Sequence, residues 1–343
     1  DDTEGARALY QQGLDLAPTN VLARYNLARL ARENGDLETA RERFQGVLLA
    51  QPGHLPSVVA LAQIALETGQ PQDALALLEQ ARDNNPGAVG LALELADLYG
   101  RMGRHADALV AANNAAALAP YDPAARLVLG RAQLRADQLD DARETLRGLV
   151  LQSPESADAH FELAKLLLKD REPRGASAAL EQALLLAPER IDINVLKGEL
   201  LLAEGETDAA LAIALRLQEA HPESPEGDIL AGRTLMAQQQ PEAAIAAYEQ
   251  AVAKSAARGP MMKLQAAYRQ IGNAAKADVI LRNWLSAHAN DVPIRIMLAT
   301  SMMQADELDL AEREYLQALN YQPDNAILHN NLAWLYSQSA DPR

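Results

Sequence analysis

The segment NLARLARENGDLETARERFQGVLLAQP, residues 26–52, contains the pattern that the rest of the chain repeats. Leu27-Ala28 leads to a glycine at Gly35, a small residue at Ala40 and a proline at Pro52. A glycine after an apolar helical stretch favours a left-handed helix end, and a proline stops the helix before it. The segment therefore predicts two helices joined by a tight turn.

The same markers recur along the chain at a spacing of 34 residues. The prolines are Pro18, Pro52, Pro86, Pro120, Pro154, Pro188, Pro222 and, after an interruption, Pro323. An alanine lies twelve residues before each of these prolines, and also before Ala256 and Ala289, which take the place of the missing prolines. These alanines are Ala6, Ala40, Ala74, Ala108, Ala142, Ala176, Ala210, Ala244, Ala277 and Ala311. One helix pair cannot bury its own apolar face, so pairs of this kind must stack on their neighbours.

We predict an all-α chain with nine full 34-residue repeats and a half repeat at each end. The full repeats begin near Val21, Leu55, Val89, Pro123, Ala157, Ile191, Pro225, Arg258 and Val292. A lone second helix at about residues 3–16 precedes them, and a lone first helix at about residues 326–339 follows. Residues 1–343 are expected to form a single array, with at most a mild break at residues 254–260, where the periodic proline is missing. The half repeats predict that this chain is a piece of a longer one.

These markers resemble the signature of the tetratricopeptide repeat (TPR) family. Leu27-Ala28, Gly35, Ala40, Phe44 and Pro52 match it in the first repeat, and residues 331–336 (NLAWLY) are similar to the opening helix of another. The resemblance implies a right-handed superhelix, an α-solenoid. Its first helices would line a concave groove that binds partner segments.

The composition argues against several classes of function. Lys plus Arg is 31 and Asp plus Glu is 47, and the net charge of −16 opposes binding of nucleic acid or anionic lipid by the surface as a whole. The sequence has no cysteine, and its six histidines have no paired metal-ligand spacing. No apolar run reaches the roughly 18–20 residues of a membrane span. We therefore expect no catalytic residue, metal, cofactor or direct membrane span.

The candidate binding residues are cations and apolar residues at the first-helix positions that the resemblance places in the groove. They are Arg101, Arg131, Leu134, Arg135, Lys165, Leu168, Lys169, Leu202, Arg233 and Met236. A basic strip beside an apolar strip suits an amphipathic partner segment with acidic residues. The alternative is that the leucines pack between helices and the cations balance nearby carboxylates.

The predicted function is a non-catalytic scaffold that binds a protein or peptide segment in the groove. An alternative is a regulatory or targeting module of a larger enzyme whose catalytic domain lies outside this chain. Polysaccharide binding is a third possibility, weakened because the groove positions hold few aromatic residues. Head-to-tail self-association through the terminal half repeats is a further expectation.

The last third of the chain has a narrower resemblance. Residues 287–291 (AHAND) precede the last full repeat, and residues 321–326 (YQPDNA) lead to residues 330–336 (NNLAWLY) and 341–343 (DPR). This run resembles the C-terminal repeats of bacterial TPR lipoproteins associated with PEP-CTERM/exosortase and exopolysaccharide systems. Membership would imply a periplasmic or outer-membrane-associated protein, anchored by a lipid on a cysteine outside this sequence. Otherwise the expected location is the cytoplasm.

Overall fold

The computed structural model describes residues 3–338, which form twenty α-helices and no strand. The helices are α1 (Thr3–Leu16), α2 (Val21–Glu33), α3 (Leu37–Ala50), α4 (Leu55–Glu67), α5 (Pro71–Asn84), α6 (Val89–Arg101), α7 (His105–Leu118), α8 (Pro123–Arg135), α9 (Leu139–Gln152), α10 (Ala157–Lys169), α11 (Pro173–Leu186), α12 (Ile191–Glu204), α13 (Thr207–Ala220), α14 (Glu226–Ala237), α15 (Pro241–Lys254), α16 (Arg258–Gln270), α17 (Ala274–Ala287), α18 (Val292–Gln304), α19 (Leu308–Tyr321) and α20 (Ala326–Gln338). The predicted all-α fold of paired helices is confirmed. One repeat begins a residue later than predicted, because Pro225 is the N-cap of α14. Residue 339, the predicted end of the last helix, lies outside the described residues.

The helices group into two compact units. The first contains α1–α11 and extends to Leu186, and the second contains α12–α20 and begins at Ala187. Residues 254–260, where the sequence suggested a break, lie inside the second unit. There α15 ends at Lys254 and α16 begins at Arg258. The single continuous array stays a prediction.

Each full repeat closes its first helix with the same left-handed turn. Gly35, Gly69, Gly103, Gly205 and Gly272 have φ between 74° and 80°, as the glycine pattern predicted. Four turns use other residues in this conformation, namely Asp137, Arg171, Gln239 and Asp306. The hydrogen bonds are those of a Schellman motif, as in the first turn, where Gly35 N–H donates to Arg32 O and Asp36 N–H to Ala31 O. The turn geometry is therefore imposed by the repeat even where glycine is absent.

The recurring alanine of the second helix lies where the two helices of a pair cross. Ala40, Ala142 and Ala244 have no exposed surface, and their counterparts in the other full repeats are equally buried. On the opposite helix Gly130 faces Leu146, whose Cδ2 would lie 2.5 Å from a Cβ added at Gly130. Small residues on one helix thus make room for large ones on the other.

A second recurring contact fixes the connection between repeats. The fourth residue of the first helix donates a side-chain hydrogen bond to the backbone carbonyl six residues earlier, where the connecting turn begins. Arg24 and Asn194 donate to Pro18 O and Pro188 O. The same contact is made by Arg126, His160, Arg295 and His329. This explains why two of the histidines share a repeat position.

Candidate functional site: the first-helix wall

The first helices of the first unit lie side by side. Helix α8 contacts both α6 and α10, while α2, α4 and α6 line a common cavity. We call the surface formed by α2, α4, α6, α8 and α10 the first-helix wall. Seven of the ten predicted site residues belong to it.

Two of the predicted cations neutralise a buried carboxylate. Arg131 donates from Nε to Glu162 Oε1 at 2.7 Å, and Lys165 Nζ donates to Glu162 Oε2 at 2.8 Å. Arg131 also pairs with Asp158 at 3.1 Å. Because Glu162 is only 3% exposed, its charge is stabilised chiefly by these two partners. Arg131 therefore links α8 to α10, and Lys165 neutralises Glu162 from within α10, so both cations have structural partners.

Two more predicted cations have carboxylate partners at the surface. Arg101 pairs with Asp97 on its own helix at 2.5 Å. Lys169 pairs with Asp137 at 2.8 Å and donates to Leu134 O at 3.0 Å. These pairs agree with the alternative that the cations balance nearby acidic residues, and the basic strip is much less positive than its residue types suggest.

Arg135 differs from these four cations. It is exposed and has no ion pair or hydrogen bond within the described residues. Its guanidinium occupies the space that a side chain would take at Gly100, where a Cβ would overlap it. Arg135 thus presents an uncompensated positive charge on α8.

The predicted apolar strip is divided between core and surface. Leu134 is 6% exposed and packs with Ala142, Leu146 and Leu166 in a hydrophobic core cluster, so little of its side chain is open to a partner. Leu168 is half-buried and remains on the wall.

The three remaining predicted residues lie in the second unit. Leu202 and Met236 are half-buried and pack against core clusters of that unit. Arg233 forms an ion pair with Glu199. Each of these three residues therefore contacts other residues of the second unit, through apolar packing or an ion pair.

A concave feature of the wall lies away from the predicted strip. A cavity of about 700 Å³ is lined by Tyr25, Arg29, Arg32, Glu33, Phe44, Leu55, Pro56, Val59, Ala60, Gln63, Glu67, Ala88, Gly90 and Leu91. Its charged groups are paired with each other: Arg29 with Glu33 at 3.4 Å, and Arg32 with Glu67 at 2.5 Å. Most other lining residues are apolar. We call this the α2–α4–α6 cavity.

Aromatic contacts hold one side of this cavity. The ring of Tyr25 lies 5.6 Å from that of Phe44 and 5.1 Å, edge-on, from that of His54. His54 caps α4 by accepting from Ser57 N–H at 3.3 Å, and burial lowers the pKa of its imidazole. The Tyr25 ring is thus held in place by packing and is half-exposed toward the cavity.

Glu94 is the carboxylate that the analysis of the sequence missed. It is the sixth residue of α6, and Glu162 is the sixth residue of α10. Glu94 is half-buried and has no ion pair or hydrogen bond among the described residues. Burial raises the pKa of the Glu94 carboxyl, Asp97 raises it further, and Arg101 lowers it. Extending the comparison of repeat positions to the sixth residue would have singled it out.

The described residues contain no group of three or more His, Asp or Glu side chains placed to hold a metal ion. None of the described helices has both the length and the apolar character that crossing a membrane requires.

The fold agrees with solved structures of low sequence identity. A tetratricopeptide repeat protein from Parabacteroides merdae is 16% identical, with 72% of this chain and 98% of that chain covered and a TM-score of 0.60. Yeast Tom70 is 13% identical, with 98% and 91% covered and a TM-score of 0.56. The human IFIT1 dimer with m7Gppp-AAAA is 16% identical, with 98% and 87% covered and a TM-score of 0.54. At these identities the likeness shows the fold alone.

The sequence itself matches two family models. One tetratricopeptide repeat model matches residues 1–64 and 101–167, and another matches residues 59–123, 161–225 and 229–281. Curated proteins give no significant match. Folds of this kind are generally non-catalytic modules for protein–protein interaction. Since the second model alone matches more than half of the chain, the protein belongs to the tetratricopeptide repeat family.

Proposed function

We propose that the chain is a scaffold that binds an extended or helical segment of a partner protein along the first-helix wall. The observation that carries this proposal is the α2–α4–α6 cavity, which has an apolar floor and is open at the surface of three consecutive first helices. Buried apolar anchors supply most of the binding energy in segment recognition, and a rim of paired charges adds orientation.

Arg135 supplies the complementary charge for an acidic residue of the partner. Of the predicted cations on the wall, it alone has no carboxylate within the described residues. An acidic side chain of the partner would therefore meet a free guanidinium rather than displace an existing pair. The acidic, amphipathic partner predicted from the basic strip is retained, but with Arg135 as its contact.

Two finer elements of the proposal concern the cellular setting and self-association. The resemblance of residues 287–343 favours a bacterial envelope or exopolysaccharide assembly, which fractionation of the native host would test. The end helices expose apolar side chains: Leu9 and Leu16 on α1, and Ile327 and Trp334 on α20. Head-to-tail contact through these helices predicts a concentration-dependent mass in solution, and a constant monomer mass would argue against it.

The main test is peptide selection on the intact chain. Random short peptides are displayed, selected for binding, resynthesised with a fluorescent label and measured by anisotropy. Gly90 lines the cavity, and a Cβ there meets no heavy atom within 4 Å, so Gly90→Trp fills the cavity without disturbing the core. Gly259 has the same repeat position in α16 and the same open surroundings, so Gly259→Trp is the matched control.

We expect Gly90→Trp to weaken the selected peptides by about tenfold or more, and Gly259→Trp to leave them unchanged. Arg135→Gln should weaken those peptides that contain a carboxylate, with the difference shrinking at high salt. Equal affinity for the wild type and Gly90→Trp would show that the cavity is not the binding site.

A further inference from the structure

The wall contains two glutamates at one repeat position in very different surroundings. Glu162 on α10 is held by Arg131, the ninth residue of the preceding first helix, and by Lys165. The residue that corresponds to Arg131 for Glu94 is Gln63, the ninth residue of α4. Gln63 is uncharged and the counterpart of Lys165 is Asp97, so Glu94 lacks both of the cations that pair with Glu162.

Arg101 lowers the pKa of Glu94 but forms its ion pair with another carboxylate. Asp97 is paired with Arg101, and Arg32 is paired with Glu67 and donates to Gln63 Oε1 at 2.6 Å. Each of these groups already has an opposite charge. The burial that raises the pKa of Glu94 adds a cost to its ionised form that an incoming cation would remove.

Glu94 lies beside the cavity. Gly90 and Leu91 line it, and Glu94 follows them by one helical turn on α6. The amide of Gln63, on α4, lines the same cavity. A segment with an apolar side chain in the cavity would therefore carry its neighbouring residues to within reach of Glu94.

We propose that Glu94 receives a lysine or arginine side chain of the partner segment, next to the apolar residue that fills the α2–α4–α6 cavity. This inference rests on the proposed function, since it names the chemistry of the segment that the wall binds. The partner's cation would complete at Glu94 the arrangement that Arg131 completes at Glu162. Together with Arg135, it requires a segment with a cation near α6 and a carboxylate near α8.

The test uses the selected peptides and two variants of the intact chain. Glu94→Gln removes the charge, and Gln63→Arg supplies the cation from within, as Arg131 does for Glu162. Glu144→Gln, at an exposed position of α9, is the matched control. Each selected peptide is also made with its lysine or arginine replaced by norleucine, so that a double-mutant cycle isolates the pair.

We expect selected peptides to contain a lysine or arginine beside a large apolar residue. The norleucine change should weaken binding to the wild type by about tenfold and to Glu94→Gln by little. Gln63→Arg should weaken the cationic peptides to the same extent, and Glu144→Gln should have no effect.

Two results would overturn the inference in distinguishable ways. Peptides that are lost on Gly90→Trp but bind equally well to Glu94→Gln, or that need no cation, would refute the role of Glu94 and leave the proposed function standing. Peptides that bind equally well to the wild type and to Gly90→Trp would overturn the proposed function and this inference together. A selection that yields no binding peptide would do the same.

Discussion

The Glu162 and Glu94 regions of the first-helix wall share a repeat position and a helix type, yet differ in two neighbouring residues. Glu94 has Asp97 where Glu162 has Lys165, and the second difference lies on the preceding first helix. Arg131 stands beside Glu162, and Gln63 stands where its counterpart would be beside Glu94. The first region has satisfied its charges internally and stabilises the stack. The second has a half-buried carboxylate with no ion pair among the described residues, next to the α2–α4–α6 cavity. A charged residue at a groove position therefore indicates partner binding only when no residue of opposite charge within the chain forms an ion pair with it.

The largest loss of stability is expected when Glu162 is deprived of its ion pair with Arg131. Arg131→Met should destabilise the chain by about 3 kcal/mol, because Glu162 would remain buried with Lys165 as its only cation. Chemical denaturation followed by circular dichroism measures this.

Arg101→Met is the matched control for that prediction. The Arg101 side chain is 64% exposed and pairs with Asp97 one turn away, so its removal should cost about 0.5 kcal/mol or less. Similar losses for the two variants would contradict the distinction between a structural and a surface cation.

The packing beneath the wall should be nearly as sensitive. Ala142 has no exposed surface and contacts the cluster that contains Leu134. Ala142→Leu should cost about 2 kcal/mol by overfilling the helix crossing. Ala117→Leu, at an exposed site on α7, should change stability by about 0.5 kcal/mol or less. An unchanged denaturation midpoint for Ala142→Leu would show that the crossing has room to spare.

Most of the fold could be predicted from the sequence because the repeat period is encoded by short-range rules. Gly35 and its counterparts mark the left-handed turns, and the buried alanines mark the helix crossings. The turns at Arg171 and Gln239 have no such residue, and only the register set by neighbouring repeats identifies them. The 34-residue spacing, rather than the type of residue at the turn, therefore predicts where these two turns lie.

The candidate site was predicted less well because ion pairing depends on side-chain geometry between helices. Arg131 and Glu162 are 31 residues apart, and the sequence does not show that their side chains meet. Lysine and arginine at groove positions therefore indicated a basic strip that the structure largely neutralises. The predicted site contained only cations and apolar residues, so the carboxylate of Glu94 was missed.

A smaller effect is expected from giving Glu94 an internal cation. Gln63→Arg should change the stability of the chain by about 0.5 kcal/mol or less at neutral pH, because the partly exposed pair with Glu94 is offset by the loss of the hydrogen bond that Arg32 donates to Gln63 Oε1. Arg32 would keep its pair with Glu67. Denaturation midpoints of the variant and the wild type measure the difference, and the variant should become the less stable of the two in acid, where Glu94 is protonated and only the loss of the Arg32 hydrogen bond remains.

The pH dependence gives a second measurement of the same group. Because the pKa of Glu94 is raised in the folded state, its contribution to stability is present below the ordinary value of 4.5 and is lost as pH rises through the folded value. Relative to Glu94→Gln, the wild type should therefore lose stability as pH rises toward neutrality. If the difference in unfolding free energy between the wild type and Glu94→Gln does not change with pH, ionisation of Glu94 does not destabilise the folded state.

The smallest effect is expected at the turns, where strain and ion pairing oppose each other. Gln239 has a φ of 59° and Asp137 a φ of 63°, and glycine adopts this conformation without strain. Gln239→Gly should stabilise the chain by about 0.5 kcal/mol. Asp137→Gly should change stability by nearly nothing, because relief of strain is offset by loss of the exposed pair with Lys169.

Asp137→Gly would also bring Lys169 closer to the condition of Arg135, with no carboxylate partner. If unpaired charge is what makes a groove residue a binding residue, the variant should bind the carboxylate-containing selected peptides a few-fold more tightly, with stability almost unchanged. Gln239→Gly, which frees no cation, should leave their affinity unaltered. Unchanged peptide affinity for Asp137→Gly would mean that position on the wall, and not the absence of an internal partner, decides which cations bind.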